Sequence, residues 1–487
     1  MIALRRWLIS VAQLLPLHDH LALGSLWLIG AFALTKGSQL ITQILLSRLL
    51  VPSDFGLWAM VLVFSSFSML FRDNAIAAVL VQRGLKDKSL VDAVYSLGIN
   101  VSIGLFLLQA LAGYPLSLFF HEPHLWLLTA LHGTIFLLGA GAGSHDSVLL
   151  QQMRFKEIGI CDTLAGVARL LGAGLCGLCG GGVWAFLAGE IAANATDAIS
   201  RRAFSGYHFH YSPKINHEAI REVRSFIAGI LSINLAVQLN TNGDNAVIGR
   251  VLGSQALGYY NVAYQLAMVP VFVVGKVNRV HFSALSAMLP AERQPYLTGA
   301  LEKYSLIAAP VCALGFVLAP WLIPFLYGPD WVHAVILFQL VLGFAYVRGL
   351  MSILGTALNA FGKPGINALI NWALVPLTIP AFILGAWLGG TTGVAVAVAL
   401  VLGIVAAIWF WYAVGRVSQW SLWLLAKPVL FPTAAAATAL FLTECLSLQI
   451  VAAATLFSVL YLLFVAVLLS RFSSLNPAKF LLSSQRH

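Results

Sequence analysis

Apolar runs long enough to cross a bilayer recur from one end of the chain to the other, separated by short polar, proline or glycine punctuation. A helix needs about 20 apolar residues to cross the hydrocarbon core. Runs of that order fall at 21–46, 55–80, 94–113, 125–145, 158–178, 183–200, 224–248, 257–282, 303–326, 332–359, 365–388, 392–414, 427–446 and 450–470. They do not show the dyad alternation of barrel strands. In lipid every backbone N–H and C=O must be satisfied inside its own segment, so the runs predict helices. The expected fold is an all-α membrane protein of about fourteen transmembrane helices.

Composition sharpens this picture. Of 487 residues, 60% are hydrophobic and only 9% charged, with a mean hydropathy of +0.89. A soluble domain carries roughly 25% charged residues, so the chain has too few charges to face water. The net charge of +10 does not point to nucleic acid, because the basic residues are segregated by loop. With the N-terminus inside, the inner loops hold Arg83, Lys86, Lys88, Arg154, Lys156, Arg201, Arg202, Lys214, Arg221, Arg224, Arg293, Lys303, Lys363, Arg416, Arg471, Lys479 and Arg486. The outer loops hold Arg48 and Arg250 as their clear cases. This asymmetry predicts an even number of spans with both termini cytoplasmic, and basic loops that meet anionic membrane lipids. Residues 1–20 contain Arg5, Arg6, Pro16 and His18-Asp19-His20 and predict a retained cytoplasmic arm rather than a cleaved signal. The basic connection 201–223 predicts a linker between two halves.

No catalytic or cofactor pattern stands out. The sequence has no P-loop, and its twelve histidines show no metal-ligand spacing. The five cysteines, Cys161, Cys176, Cys179, Cys312 and Cys445, lie in apolar stretches and read as small packed residues. The expectation is a protein that is not an enzyme, with no cofactor and no metal.

Two stretches about 200 residues apart resemble each other: Leu46-Ser-Arg-Leu-Leu-Val-Pro-Ser-Asp-Phe-Gly-Leu-Trp58 and Ile248-Gly-Arg-Val-Leu-Gly-Ser-Gln-Ala-Leu-Gly-Tyr-Tyr260. Arg48 aligns with Arg250, Gly56 with Gly258 and Trp58 with Tyr260. Both join an outgoing helix to a returning one, which predicts a parallel repeat. Pro52, Ser53 and Asp54 offer a break and a cap for the second span.

These segments resemble the Wzx-type oligosaccharide flippases of bacterial polysaccharide export, grouped with the MATE-like multidrug/oligosaccharidyl-lipid/polysaccharide transporters. The resemblance rests on Ser47–Gly56, Val81-Gln-Arg83, Asp244–Arg250 and Ala256–Tyr264, with weaker matches at Phe282–Ser286 and Asn359–Pro364. Ala256 departs from the acidic residue that Asp54 supplies in the first copy. The resemblance implies two six-helix lobes facing a central cavity, with two further helices at the C-terminus. The expected division is 1–20 arm, 21–200 N-lobe, 201–223 linker, 224–414 C-lobe and 415–487 terminal helices and tail. It also implies a flippase moving polyprenyl-diphosphate-linked oligosaccharide across the bacterial cytoplasmic membrane by alternating access. Its partners would be that lipid, a sodium ion or proton for coupling, and a polysaccharide polymerase. A MATE-like cation-coupled exporter, which would favour acidic cavity groups, is one alternative. A membrane glycosyltransferase or polymerase, which would want carboxylates on a long outer loop, is another.

Ionisable residues at membrane depth are costly and usually face a cavity or a partner. They include Lys36, Arg72, Asp73, Asp162, Arg169, Glu190, Asp244, Lys276, Arg279 and Arg348. The excess is basic, as a diphosphate would require. The candidate substrate contacts are Lys36, Arg72, Arg169, Arg348, Asp244, Gln39 and Asn242. Arg169 could instead pair with Glu190, and Asp162 reads as solvated. Thr35, Ser38, Gln39 and Thr42 make one polar stripe, and Gln238, Asn242 and Asn245 another; either suits sugar or helix packing. The patch Asn240–Asn245 predicts a wet face or a broken helix. Gly139–Gly143, and Gly177 with Gly180–Gly182, read as packing surfaces, and Trp126, Trp321, Tyr327, Trp331 and Trp420 as interface anchors.

Overall fold

A computed structural model describes residues 19–73, 80, 88–212, 217–446 and 449–472, with side chains at 30, 34–71, 80, 88–212, 234–446 and 449–465. Among these residues there are helices and no strand. The helices are α1 (Asp19–Ser47), α2 (Pro52–Asp73), α3 (Lys88–Phe120), α4 (Leu125–His132), α5 (Thr134–Leu138), α6 (Ala142–Gln151), α7 (Phe155–Leu178) and α8 (Trp184–Ser205). They continue as α9 (His217–Ala267), α10 (Val269–Ala287), α11 (Pro290–Tyr327), α12 (Ala334–Ala360), α13 (Pro364–Ala397), α14 (Ala406–Ser418), α15 (Leu422–Cys445) and α16 (Ile450–Phe472). A π-helical segment, Val398–Val405, joins α13 to α14.

The expected spans fall mainly on helix, with 55–80 described only over 55–73 and at 80, and the protein is a multi-pass membrane protein. Eight of the described helical segments are long and apolar enough to span on length and composition alone, and the bent pair Asn234–Ala267 with Val269–Ala287 makes a ninth. Helix α8 is not among them, since Glu190, Asp197, Arg201 and Arg202 interrupt its apolar run.

The chain divides into two compact units, Met1–Leu235 and Ala236–His487. In the first, α7 packs on both α1 and α8. The close approach to α1 follows from Gly166, Gly174 and Gly177, whose missing side chains make room for Ser38, Leu45 and Leu46. Gly172 and Gly189 do the same between α7 and α8. In the second unit α12 is the centre. It is the most buried of the membrane-length helices and contacts α10, α11, α13 and α14, while α15 and α16 lean on α11.

The two repeat copies break their helices in the same register. Helix α1 ends at Ser47 and α2 starts at Pro52. In the second copy Gly253, the residue aligned with Val51, takes φ 85°, ψ 179° inside α9. Asp54 accepts from the Val51 N–H (3.4 Å), as a cap should. Trp58 and its counterpart Tyr260 are both buried. Gly253 sits where L side chains rarely go, yet nothing lies within 4 Å of a Cβ built there. Any penalty is therefore backbone strain. Gly253→Ala is expected to lower unfolding stability in detergent by about 1–2 kcal/mol. An unchanged midpoint would mean that the break is dispensable.

Several local expectations need correction. The run Gly139–Gly143 is a helix break, not a packing surface: α5 stops at Leu138, and Gly141 (φ 79°) leaves room for Tyr95. Gly180 and Gly182 likewise turn the chain between α7 and α8. Tyr327 and Trp331 are buried, with rings 5.9 Å apart, and cannot anchor an interface, whereas Trp126 and Trp321 are exposed. Helix α8 runs through Arg201 to Ser205, and the chain after it is not a solvated linker at first. Phe209 stacks on Tyr95 (4.6 Å), the His210 N–H donates to Asp92 (3.0 Å), and Tyr211 donates to Asn100 (2.9 Å). Residues 207–211 are thus fastened to α3.

Candidate functional site

In the first unit the α1 stripe does two jobs. Ser38 and Thr42 return their hydroxyls to carbonyls of their own helix, and Ser38 faces Gly166 of α7. Thr42 and Gln43 are buried. Lys36 and Gln39, one turn apart, are brought together: the ammonium donates to the Gln39 amide oxygen at 2.9 Å. The side chain of Arg72 lies outside the described residues.

Arg169 on α7 does find Glu190 on α8. Nε lies 3.0 Å from Oε1, and Nη2 donates to Oε2 at 3.0 Å. Only Nη2 makes a hydrogen bond; Nε, though close to Oε1, is buried and has no hydrogen-bond partner. The two side chains keep 18% and 23% exposure, so the pair is not sealed.

One helical end of this unit carries a cluster that the sequence reading missed. Arg201 donates to Asp146 of α6, Asp162 of α7 and, at 2.8 Å, Asp197 of its own helix. Asp162 is therefore held by a guanidinium rather than simply solvated. The signal was present in the spacing of Glu190, Asn194, Asp197 and Arg201, which puts them on one face of α8.

In the second unit the polar patch of α9 splits in two. Asp244 and Asn240 are each 1% exposed. Asp244 accepts from the Tyr260 hydroxyl (2.6 Å) and the Asn245 N–H (2.7 Å). Asn240 donates to the Asn371 carbonyl (2.8 Å) and accepts from Thr378 (3.2 Å), both on α13. Gly243 leaves room for Ile379 beside them. This half of the patch is a dry, hydrogen-bonded seam rather than a wet face. Asn242 points elsewhere: it is half-buried and donates to Gln238 of its own helix at 3.3 Å.

Arg348 is different from the other described candidates. It lies near the middle of α12, about 21 Å along the helix from Ala334 and about 18 Å from Ala360. That is too deep for easy snorkelling to an interface. It is half-buried and makes no hydrogen bond or ion pair among the described residues. It interacts electrostatically with the Tyr264 phenol, which also feels Asp244. Tyr264 is placed by ring contacts with Tyr260 (5.8 Å) and Phe344 (6.3 Å). Tyr260 and Tyr264 were quoted in the family motif, but nothing in the sequence tied them to Arg348.

The described residues hold no group of three or more metal-binding side chains. Chemically, the described residues of the second unit offer a guanidinium at membrane depth with no carboxylate on it, Arg348, and those of the first offer a guanidinium already holding an anion, Arg169.

Known proteins share this architecture. The chain is 24% identical over 399 residues to the lipopolysaccharide biosynthesis protein WzxC of Escherichia coli (strain K12), covering 80% of this chain and 79% of that one. It is 24% identical over 351 residues to the teichuronic acid biosynthesis protein TuaB of Bacillus subtilis (strain 168), covering 66% and 72%. Among solved structures, the lipid II flippase MurJ in an inward closed conformation superposes with a TM-score of 0.74 at 13% identity, over 90% of this chain and 98% of MurJ. An outward-facing multidrug MATE transporter gives 0.54 at 13% identity, over 82% and 96%. At such identities the structural likeness shows the fold alone, a transporter fold of the MurJ and MATE kind. The sequence profile of one family matches residues 45–336, more than half of the chain, and the protein therefore belongs to the polysaccharide biosynthesis protein family.

Proposed function

We propose that the protein is a flippase that carries polyprenyl-diphosphate-linked oligosaccharide from the cytoplasmic to the outer leaflet of the bacterial inner membrane. The observation that carries this reading is Arg348, a cation held at membrane depth with no carboxylate on it among the described residues. Burying a charge without a partner costs several kcal/mol. Such a residue persists where an anion arrives to share it, and a diphosphate headgroup is that anion. The relatives named for lipopolysaccharide and teichuronic acid biosynthesis support the same class of cargo. So does a relative named as a succinoglycan biosynthesis transport protein.

The reading places both termini in the cytoplasm and the product in the outer leaflet, where a polysaccharide polymerase would take it. It includes alternating access driven by a sodium or proton gradient, as the MATE-like fold allows. A small-cation exporter fits less well, since its site should present an uncompensated carboxylate, and Asp244 is engaged with Tyr260.

The test is translocation by the purified protein in liposomes, using a short polyprenyl-diphosphate-linked sugar and a membrane-impermeant oxidant of the exposed sugar. Protein-dependent loss of protection is expected. Equal protection in empty and protein-containing vesicles would refute the reading.

A further inference from the structure

The Arg169–Glu190 pair leads beyond the question of cargo. Its geometry is that of a binding site with its anion already in place. Glu190 fills the Arg169 fork only in part: Nη2 donates to Oε2 at 3.0 Å, whereas Nε, 3.0 Å from Oε1, is buried with no hydrogen-bond partner. Two phosphate oxygens of one headgroup match the same fork. The pair sits beside a close approach of α7 and α8. A Cβ at Gly189 would meet Ala173 at 2.9 Å and the Arg169 carbonyl at 3.0 Å, so the two backbones are held close together beside the pair. Its residual exposure of 18% and 23% leaves room for a competing ligand.

Resting on the flippase reading, we infer that Glu190 is a displaceable stand-in for the substrate diphosphate, and that displacing it makes substrate binding take up a proton. When a phosphate oxygen pair occupies the Arg169 fork, the Arg169–Glu190 ion pair breaks. Glu190 then lies at membrane depth with no cation on it. An ionised carboxylate there is costly, so it takes a proton from water onto Oε1 or Oε2. The entering proton offsets one of the two negative charges that enter, and the guanidinium stays paired throughout. A cargo carrying two negative charges thus crosses with part of its charge neutralised by a titratable group of the protein.

Among the described residues, Arg169 is the one ion-pair partner of Glu190. Of the titratable groups on elements packed against α8, Asp146 and Asp162 are held by Arg201, His145 bonds Ser205 and His132 bonds Ser65. On α8 itself Asp197 is held by Arg201, and Asn194 donates to the Glu190 backbone carbonyl.

The experiment is calorimetric binding to the full chain in nanodiscs, near neutral pH, in two buffers that differ in ionisation enthalpy. The probe is farnesyl-diphosphate-linked N-acetylglucosamine, whose two phosphates are both esterified and do not titrate there. UDP-N-acetylglucosamine is the soluble arm, which separates a lipid headgroup from a free sugar diphosphate. The wild-type protein should take up about one proton per lipid probe bound. Glu190→Gln should take up none and bind ~10-fold more tightly, because no carboxylate competes. The neutral pair Arg169→Gln with Glu190→Gln should insert normally, bind weakly and take up no proton. Proton uptake that survives in Glu190→Gln would overturn the inference. So would wild-type binding that needs Arg169 but takes up no proton, which would leave the flippase reading standing. Binding of neither probe, or of the soluble one alone, would remove both the inference and the reading beneath it.

Discussion

Arg348→Met is expected to abolish translocation while making the protein harder to unfold. These effects run in opposite directions for one reason. Methionine fills a similar volume along α12 and removes a charge that has no carboxylate on it among the described residues. An arginine at the centre of a membrane helix costs about 2.5–3.5 kcal/mol on insertion scales. Part of that is recovered by the Tyr264 phenol and by residual exposure, so a gain in stability of about 1–2 kcal/mol is expected. The loss of function follows from the same charge. A hydrogen bond to an ionised group contributes about 1.5–3 kcal/mol, which corresponds to a fall of roughly 10- to 100-fold in headgroup affinity. The checks are a denaturation midpoint in detergent and the vesicle translocation rate. A variant that is both less stable and still active would show that Arg348 is an ordinary packing residue.

Arg201→Met is expected to have the opposite profile, with a large loss of stability as its primary effect. Arg201 is 12% exposed and holds Asp146, Asp162 and Asp197, each close to 30% exposed. Removing it leaves three carboxylates from three helices facing one another. Breaking a buried ion pair costs about 3–5 kcal/mol. The partial exposure of the carboxylates puts this case near 3 kcal/mol or somewhat below. Arg201→Lys should recover only part of this, because an ammonium cannot fork towards three acceptors. Neutralising the three aspartates to asparagine in the methionine background should recover more. Unfolding midpoints of these variants in one detergent decide the matter. Equal stability of Arg201→Met and wild type would mean that the cluster is an ornament of a solvated surface.

The sequence made most of the architecture legible, because apolar run length is a strong signal in lipid and needs no tertiary information. It did not reveal which polar residues face one another. Arg169 and Glu190 were visible as opposite charges at depth, but their pairing depends on the register of α7 against α8, which Gly172 and Gly189 set. Asp162 looked solvated because it lies near a helix end, and only the continuation of α8 to Ser205 brings Arg201 onto it. Tyr327 and Trp331 looked like interface anchors by position alone, and their burial depends on the turn at Gly328 and the 3-10 segment Pro329–Trp331. The patch Asn240–Asn245 was read as wet because it was polar. Asn371 and Thr378, 131 and 138 residues away, supply the partners that keep it dry. Arg348 stood out early because no packing partner is needed to see a charge in the middle of a 27-residue apolar helix.

The central claim is that protein-held positive charge replaces the water stripped from a diphosphate. It is tested most directly by comparing two cargoes in the same vesicles: a polyprenyl-diphosphate-linked sugar and the same sugar joined to the same prenol by a neutral glycosidic bond. The wild-type protein is predicted to move the diphosphate cargo far faster, with the difference collapsing in Arg348→Met. Equal rates for both cargoes in the wild type, or an undiminished preference in the variant, would contradict it.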